Sequence, residues 1–187
     1  ARKGKQMKKR NLNQIVFVLF FMFFVMACQA VTGLPSQTST TVQEEITSYE
    51  WSDVSPAPDK FSLIKITGNG ANLGDVLRAE AHKATELGRD PYVDFYADWC
   101  PPCRAIEANI ADERMIDAFS GTYIIQLDFD EWERELSDTG FYVIGIPSYY
   151  EIDGEGYSTG RMITGAAWGE DVAENIAPPM KAFFAGE

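Results

Sequence analysis

Tyr92-Val93-Asp94-Phe95-Tyr96-Ala97-Asp98-Trp99-Cys100-Pro101-Pro102-Cys103 decides the reading of this chain. Tyr92 to Ala97 predicts a buried strand. A short turn follows, and Cys100 opens a helix that runs to about Ala111, because Ile106 and Ile110 stand four apart. A helix N-terminus offers free backbone N–H groups and partial positive charge. Both favour a thiolate, so Cys100 is expected to have a lowered pKa and to act as a nucleophile. Cys103 lies one turn further on the same side, placed to attack a mixed disulfide formed by Cys100. Proline suits the first helical turn, where no intrahelical N–H bond is lost.

The flanking segments supply the rest of a domain. Phe61, Leu63, Ile64 and Ile66 predict an edge strand with imperfect alternation, since Leu63 and Ile64 are adjacent. Leu73, Val76, Leu77, Ala81, Ala84 and Leu87 recur at helical spacing, with Asn72 as N-cap and Gly88 as stop. A second helical piece is expected over Asp112–Phe119, a strand over Tyr123–Phe129, and a polar helix or turn near Glu131–Ser137. Ser148–Ile152 and Tyr157–Ile163 read as a hairpin around Asp153-Gly154-Glu155-Gly156. Gly169–Ala185 reads as a helix interrupted at Pro178-Pro179. Helices between the early strands imply parallel crossovers, and the late hairpin adds antiparallel strands. The expected fold class is α/β, a central mixed β-sheet flanked by helices, over residues 60–187.

The 187-residue chain has room for more than this domain. Residues 1–28 read as a signal segment. The cluster Lys8-Lys9-Arg10 precedes an unbroken apolar run of 13 residues, Ile15 to Ala27. A membrane span needs about 20 apolar residues. An extension to Leu34 makes an uncleaved anchor the alternative. Val25-Met26-Ala27-Cys28 resembles the lipobox of bacterial lipoproteins, which makes Cys28 the expected lipid-attachment residue. Residues 29–59, rich in Thr, Ser, Gln and Pro, read as a flexible linker, within which Tyr49 and Trp51 are candidates to pack onto the domain. All six basic residues of the first 28 precede the apolar run, which predicts translocation of everything after it. The remainder carries ten basic against 28 acidic residues, which argues against binding nucleic acid or anionic lipid through charge. The expected location is the periplasmic side of the cell envelope, with the domain tethered to the membrane by lipid or by an N-terminal anchor.

The Cys100–Cys103 segment resembles the active-site motif of the thioredoxin family, and the resemblance extends over roughly residues 70–185. A second element, Gly145-Ile146-Pro147-Ser148, precedes a predicted strand as in that family, and Gly165-Ala166 matches a third groove element more weakly. The resemblance implies a thioredoxin-like fold in which Pro147 is cis beside the Cys pair. It implies that Ile146 offers backbone hydrogen bonds to an extended substrate, and that Trp99 flanks the site. Asp94 matches the family's buried acid, whose raised pKa suits it to move a proton for Cys103. Two departures stand out. Pro-Pro replaces the Gly-Pro usual between the cysteines of cytoplasmic thioredoxins, removing a possible donor to the thiolate. Gln126 stands where a lysine commonly faces the buried acid.

Other chemistries fit less well. A C-x-x-C pair is also half a zinc site, but no second pair exists and His82 is the only histidine, so no metal is expected. His82 is also the only candidate base for hydrolytic Cys–His catalysis, and it sits on a different predicted helix. The run Asp128, Asp130, Glu131, Glu133, Glu135 lacks a calcium-loop pattern and reads as a solvated face. The functional expectation is an extracytoplasmic thiol–disulfide oxidoreductase that reduces disulfide-containing protein substrates, without a cofactor. A membrane redox partner would reset its Cys pair. An oxidase running in reverse and a non-catalytic binding module are the alternatives.

Overall fold

The computed structural model describes residues 49–187 apart from Asn69. The signal segment, Cys28 and most of the linker lie outside the described residues. The elements are β1 (Glu50–Asp53), β2 (Ser62–Thr67), α1 (Leu73–Glu86), β3 (Asp90–Tyr96), α2 (Pro101–Asn109), α3 (Glu113–Ala118) and β4 (Thr122–Asp128), followed by a short α4 (Phe129–Trp132). A 3-10 turn over Glu133–Asp138 leads to β5 (Ser148–Ile152) and β6 (Ser158–Thr164). A second 3-10 turn, Gly165–Ala167, precedes α5 (Ala173–Phe184).

The sheet has six strands in the order β1-β2-β4-β3-β5-β6. β4 pairs parallel with both β2 and β3; the other pairings are antiparallel. This is the expected mixed sheet, and helices cover both of its faces. On one face α1 packs Leu73, Val76, Leu77, Ala81 and Ala84 onto Ile64, Val93, Ile125 and Tyr150. On the other, Ile106 of α2, Met115 of α3 and Ile176, Met180 and Phe183 of α5 cover Leu63, Tyr92, Ile124 and Tyr149. Adjacent strand residues therefore enter opposite cores, which is why Leu63-Ile64 breaks the alternation expected of a half-exposed strand.

Three expectations are corrected. β2 is not an edge strand, because β1 pairs along it from Glu50↔Thr67 to Asp53↔Ile64. The last residues of the stretch read as linker thus belong to the fold. The Tyr49 hydroxyl donates to Glu80, and Lys83 lies 5.1 Å over the Trp51 ring. These contacts are with residues some thirty positions away, which composition does not reveal. Third, α5 begins at Ala173 and runs through Pro178 and Pro179 without interruption. Each proline forfeits one backbone bond, to the carbonyls of Glu174 and Asn175. Both of those residues are exposed, so the freed carbonyls belong to the solvent side of the helix, while Ile176, Ala177, Met180 and Phe183 stay packed.

Helix ends follow the local chemistry. Asn72 Oδ1 accepts from the Asp75 amide at 3.1 Å, and Gly88 follows the helix with φ +66°, a conformation that favours glycine. No helix among the described residues is long and apolar enough to cross a membrane.

Candidate active site

β3 delivers the chain to the N-terminus of α2, and Cys100 is the N-cap residue. Its Sγ accepts a hydrogen bond from the Cys103 amide at 3.2 Å. Pro101 and Pro102 occupy the first two helical positions and carry no N–H. The Cys103 amide is thus the first donor of the helix available to the sulfur. Cys100 and Cys103 are joined by a disulfide with Cα atoms 5.3 Å apart. Both are nearly buried, at 2% and 3% exposure, and form a small cluster with Tyr96 and Ala97.

A second segment closes over the pair. The Ile146–Pro147 peptide bond is cis, and the Ile146 carbonyl oxygen lies 3.7 Å from Cys100 Sγ. The Ser148 hydroxyl donates back to the Gly145 carbonyl, which holds this turn. The Gly165 amide donates to the Pro147 carbonyl at 3.2 Å. A Cβ at position 165 would lie at van der Waals distance, 3.4 Å, from Pro147 Cδ, so the two segments are in close contact. The structure therefore brings Cys100, Cys103, Ile146, Pro147 and Gly165 together from three separate parts of the sequence. Trp99 joins them at the surface, 61% exposed, with its indole N–H donating to Asp130 Oδ2 at 2.7 Å.

Asp94 lies on the sheet face that α2 covers, buried at 2% exposure. It sits in a polar row across the sheet, because the register aligns Lys65 with Gln126, Gln126 with Asp94, and Asp94 with Tyr149. Gln126 Nε2 donates to Asp94 Oδ2 at 3.1 Å, while Oδ1 has no hydrogen-bond partner of normal geometry. Burial pushes the Asp94 carboxyl up to about 7; Gln126 and the adjacent Tyr149 phenol pull it part of the way back, and the charge of Glu107 adds to the rise. Burial likewise holds the Tyr149 phenol well above its ordinary value, with the Asp94 charge acting in the same direction. Lys65, at the open end of the row, turns toward Tyr96, 4.5 Å from its ring centroid, and toward Asp98 at 3.9 Å. Asp94, raised to about 7, is the group in this row suited to exchange a proton near neutral pH.

Several contributors escaped the sequence reading. Tyr149 and Lys65 enter through strand register, and Glu107 through the position one helical turn beyond Cys103. Asp130 was grouped with a solvated acidic run; it is exposed, yet it also holds Trp99. His82 is exposed on α1, apart from the pair. Among the described residues no group of three or more His, Cys, Asp or Glu is arranged to hold a metal ion.

A mixed sheet with a Cys-x-x-Cys pair at a helix N-terminus and a cis-proline beside it defines a thioredoxin-type redox domain. The thioredoxin family profile matches residues 79–177, more than half of the chain. The chain belongs to the thioredoxin family. It is 31% identical over 107 residues to the chloroplastic thioredoxin-like protein HCF164 of Oryza sativa subsp. japonica, a match covering 55% of this chain and 40% of that protein. It is 27% identical over 153 residues to the thiol:disulfide interchange protein DsbD of Pseudoalteromonas atlantica, covering 79% of this chain and 23% of that protein. The chain thus spans less than half the length of these relatives. Among solved structures, the disulphide isomerase of Xylella fastidiosa Temecula1 aligns at 17% identity with a TM-score of 0.48, covering 64% of this chain and 94% of that one.

Proposed function

We propose that this protein is an extracytoplasmic thiol–disulfide oxidoreductase that reduces disulfides in protein substrates. The observation that carries the reading is the Cys100–Cys103 disulfide at the N-terminus of α2, with the cis Ile146–Pro147 bond against it. In the reduced enzyme the Cys100 thiolate attacks a substrate disulfide. A mixed disulfide forms and one substrate thiolate leaves. Cys103 gives its proton to Asp94 and attacks Cys100 Sγ. The second substrate thiolate leaves and the Cys100–Cys103 disulfide is restored. Two electrons pass from the pair to the substrate, and no cofactor takes part. Ile146 and Pro147 bind the substrate backbone, and Trp99 borders the site.

The reducing direction is supported by the donors to Cys100. With Pro101 and Pro102 lacking N–H groups, thiolate stabilisation rests on the Cys103 amide, 3.2 Å away, and on the helix dipole. A weakly stabilised thiolate makes a more reducing couple than that of a strong oxidase. A relative named as a thiol:disulfide interchange protein supports exchange with a second redox protein that resets the pair, and we place that partner in the membrane. The charged and apolar pattern of residues 1–28 supports export, and Cys28 is the residue we propose carries the lipid.

Trapping tests the scheme. Cys103→Ala is expected to accumulate mixed disulfides between Cys100 and envelope proteins, released by dithiothreitol. Absence of any adduct on Cys100 would contradict it. Mass analysis of the mature N-terminus is expected to find a diacylated or triacylated Cys28; an unmodified residue beyond it would refute attachment.

A further inference from the structure

The rim of the candidate site is unusually apolar for a surface. Trp99 is 61% exposed, Tyr142 81% and Ile144 75%. Trp99 precedes Cys100 in the chain. Tyr142 and Ile144 lie four and two residues before Ile146, whose carbonyl faces Cys100 Sγ. Large exposed apolar side chains thus stand in both segments that build the site, the turn before Cys100 and the approach to the cis-proline.

These side chains are held outward. Phe141 is buried and stacks edge-on against Phe95 and Tyr150, with centroids 5.2 and 5.1 Å apart. The Tyr150 hydroxyl donates to the Tyr142 carbonyl at 2.8 Å. Alternation from the anchored Phe141 sends Tyr142 and Ile144 to the solvent side, while Val143 and Ile146 pack against the cores. Trp99 is fixed by Asp130. Fixed, exposed apolar groups around one point mark a contact surface.

The charge around that surface is one-sided. Asp98, Asp128, Asp130 and Glu131 gather on the Trp99 bank, and Glu107 lies beyond the pair on α2. Two cations stand nearby against these five carboxylates: Lys65 faces the Asp98 carboxylate at 3.9 Å, and the exposed Arg104 donates through Nη1 to the Asp98 backbone carbonyl at 3.3 Å. From Glu135 to Gly160, the stretch that carries Tyr142 and Ile144, there is no lysine or arginine. An anionic lipid surface is repelled by such a rim.

Resting on the oxidoreductase reading above, we propose that the preferred substrate is a polypeptide whose disulfide cysteine is set among aliphatic or aromatic residues with lysine or arginine close by. The apolar neighbours cover Trp99, Tyr142 and Ile144, and the cations meet the acidic rim. The reaction is that of the proposed cycle: protein dithiol plus substrate disulfide gives protein disulfide plus two substrate thiols.

Stopped-flow tryptophan fluorescence during oxidation of the reduced full chain tests this. The oxidants are hydroxyethyl disulfide and three peptide homodimers. Each peptide has one cysteine, flanked by apolar and basic, apolar and acidic, or small polar residues. The apolar–basic peptide is expected to react about tenfold faster than the apolar–acidic one at low ionic strength, with the ratio shrinking at high salt. Tyr142→Ser with Ile144→Ser is expected to lower, by about tenfold, the ratio of the apolar–basic rate to the hydroxyethyl disulfide rate. Equal rates for the three peptides, with hydroxyethyl disulfide still reduced, overturn the proposal and leave the oxidoreductase reading standing. Reaction with no disulfide at all overturns both. Concentration-dependent dimerisation of the chain, abolished by the double variant, would show that the surface serves a second copy and also overturns the proposal.

Discussion

Among the described residues two carboxylates are buried, one against each face of the sheet, and their surroundings differ. Glu80, on α1, is fully buried. It accepts from the Tyr123 hydroxyl at 2.5 Å, from Lys83 Nζ at 2.6 Å and from the Tyr49 hydroxyl. Asp94, on β3, has one neutral amide on Oδ2 and nothing of normal geometry on Oδ1. A buried charge is tolerated when it is paired and hydrogen-bonded; otherwise it gives way to the neutral form. Glu80 has the partners of a structural anchor, tying β1 and β4 to α1. Asp94 has the surroundings of a group that loads and releases a proton.

The largest effect expected from that contrast is on folding. Glu80→Ala leaves the buried Tyr123 phenol and the half-buried Tyr49 phenol without their acceptor, and Lys83 without its partner. It should destabilise the domain by about 3–5 kcal/mol in chemical denaturation. Hydrogen exchange should report early loss of protection in β1. A change below about 1 kcal/mol would remove the anchor role.

Asp94→Asn should act in the opposite sense. Burial raises its folded value to about 7 from the ordinary 3.8. Between those pH values the folded protein keeps a proton that the unfolded chain has lost. The stability linked to Asp94 is therefore full below about 4 and falls as pH rises to about 7, by up to roughly 4 kcal/mol. The asparagine variant should lose this slope and exceed the wild type in stability at pH 8. The same variant should resolve mixed disulfides about a hundredfold more slowly. A variant less stable than wild type at pH 8 would mean that Asp94 is as well paired as Glu80.

A change at the neighbour sharpens the comparison. Gln126→Lys places a cation beside Asp94, as Lys83 stands beside Glu80. The pH midpoint of the resolving step should move down by about 1–3 units. The smallest effect is at the periphery of the anchor. Tyr123→Phe removes one donor of three from Glu80 and should cost about 1 kcal/mol with the pH profile of exchange unmoved.

Much of this contrast was legible from residue order, and its limits have physical causes. The strand–turn–helix around Cys100 announced itself because a buried strand, a turn and a cysteine-capped helix follow one another without interruption. Gln126 was placed opposite Asp94 by resemblance, and the β3–β4 register puts it there. Tyr149 was not foreseen, since it reaches Asp94 only through the antiparallel pairing of β5 with β3. Glu80 was invisible for a related reason. It falls among the apolar positions of α1, and its two phenol partners come from the residue before β1 and from β4. β1 itself was lost in a polar stretch with no period, being only four residues long. The continuity of α5 through Pro178-Pro179 depends on which side of the helix the freed carbonyls face, which local propensity does not encode.

The central claim, that the Cys100–Cys103 pair performs thiol–disulfide exchange, is tested most directly by insulin reduction with dithiothreitol as electron source, comparing wild type with Cys100→Ser. The wild type is expected to accelerate precipitation of the insulin B chain, and Cys100→Ser to match the rate with dithiothreitol alone. A wild-type rate equal to that background would contradict the account and favour a binding module with a structural disulfide.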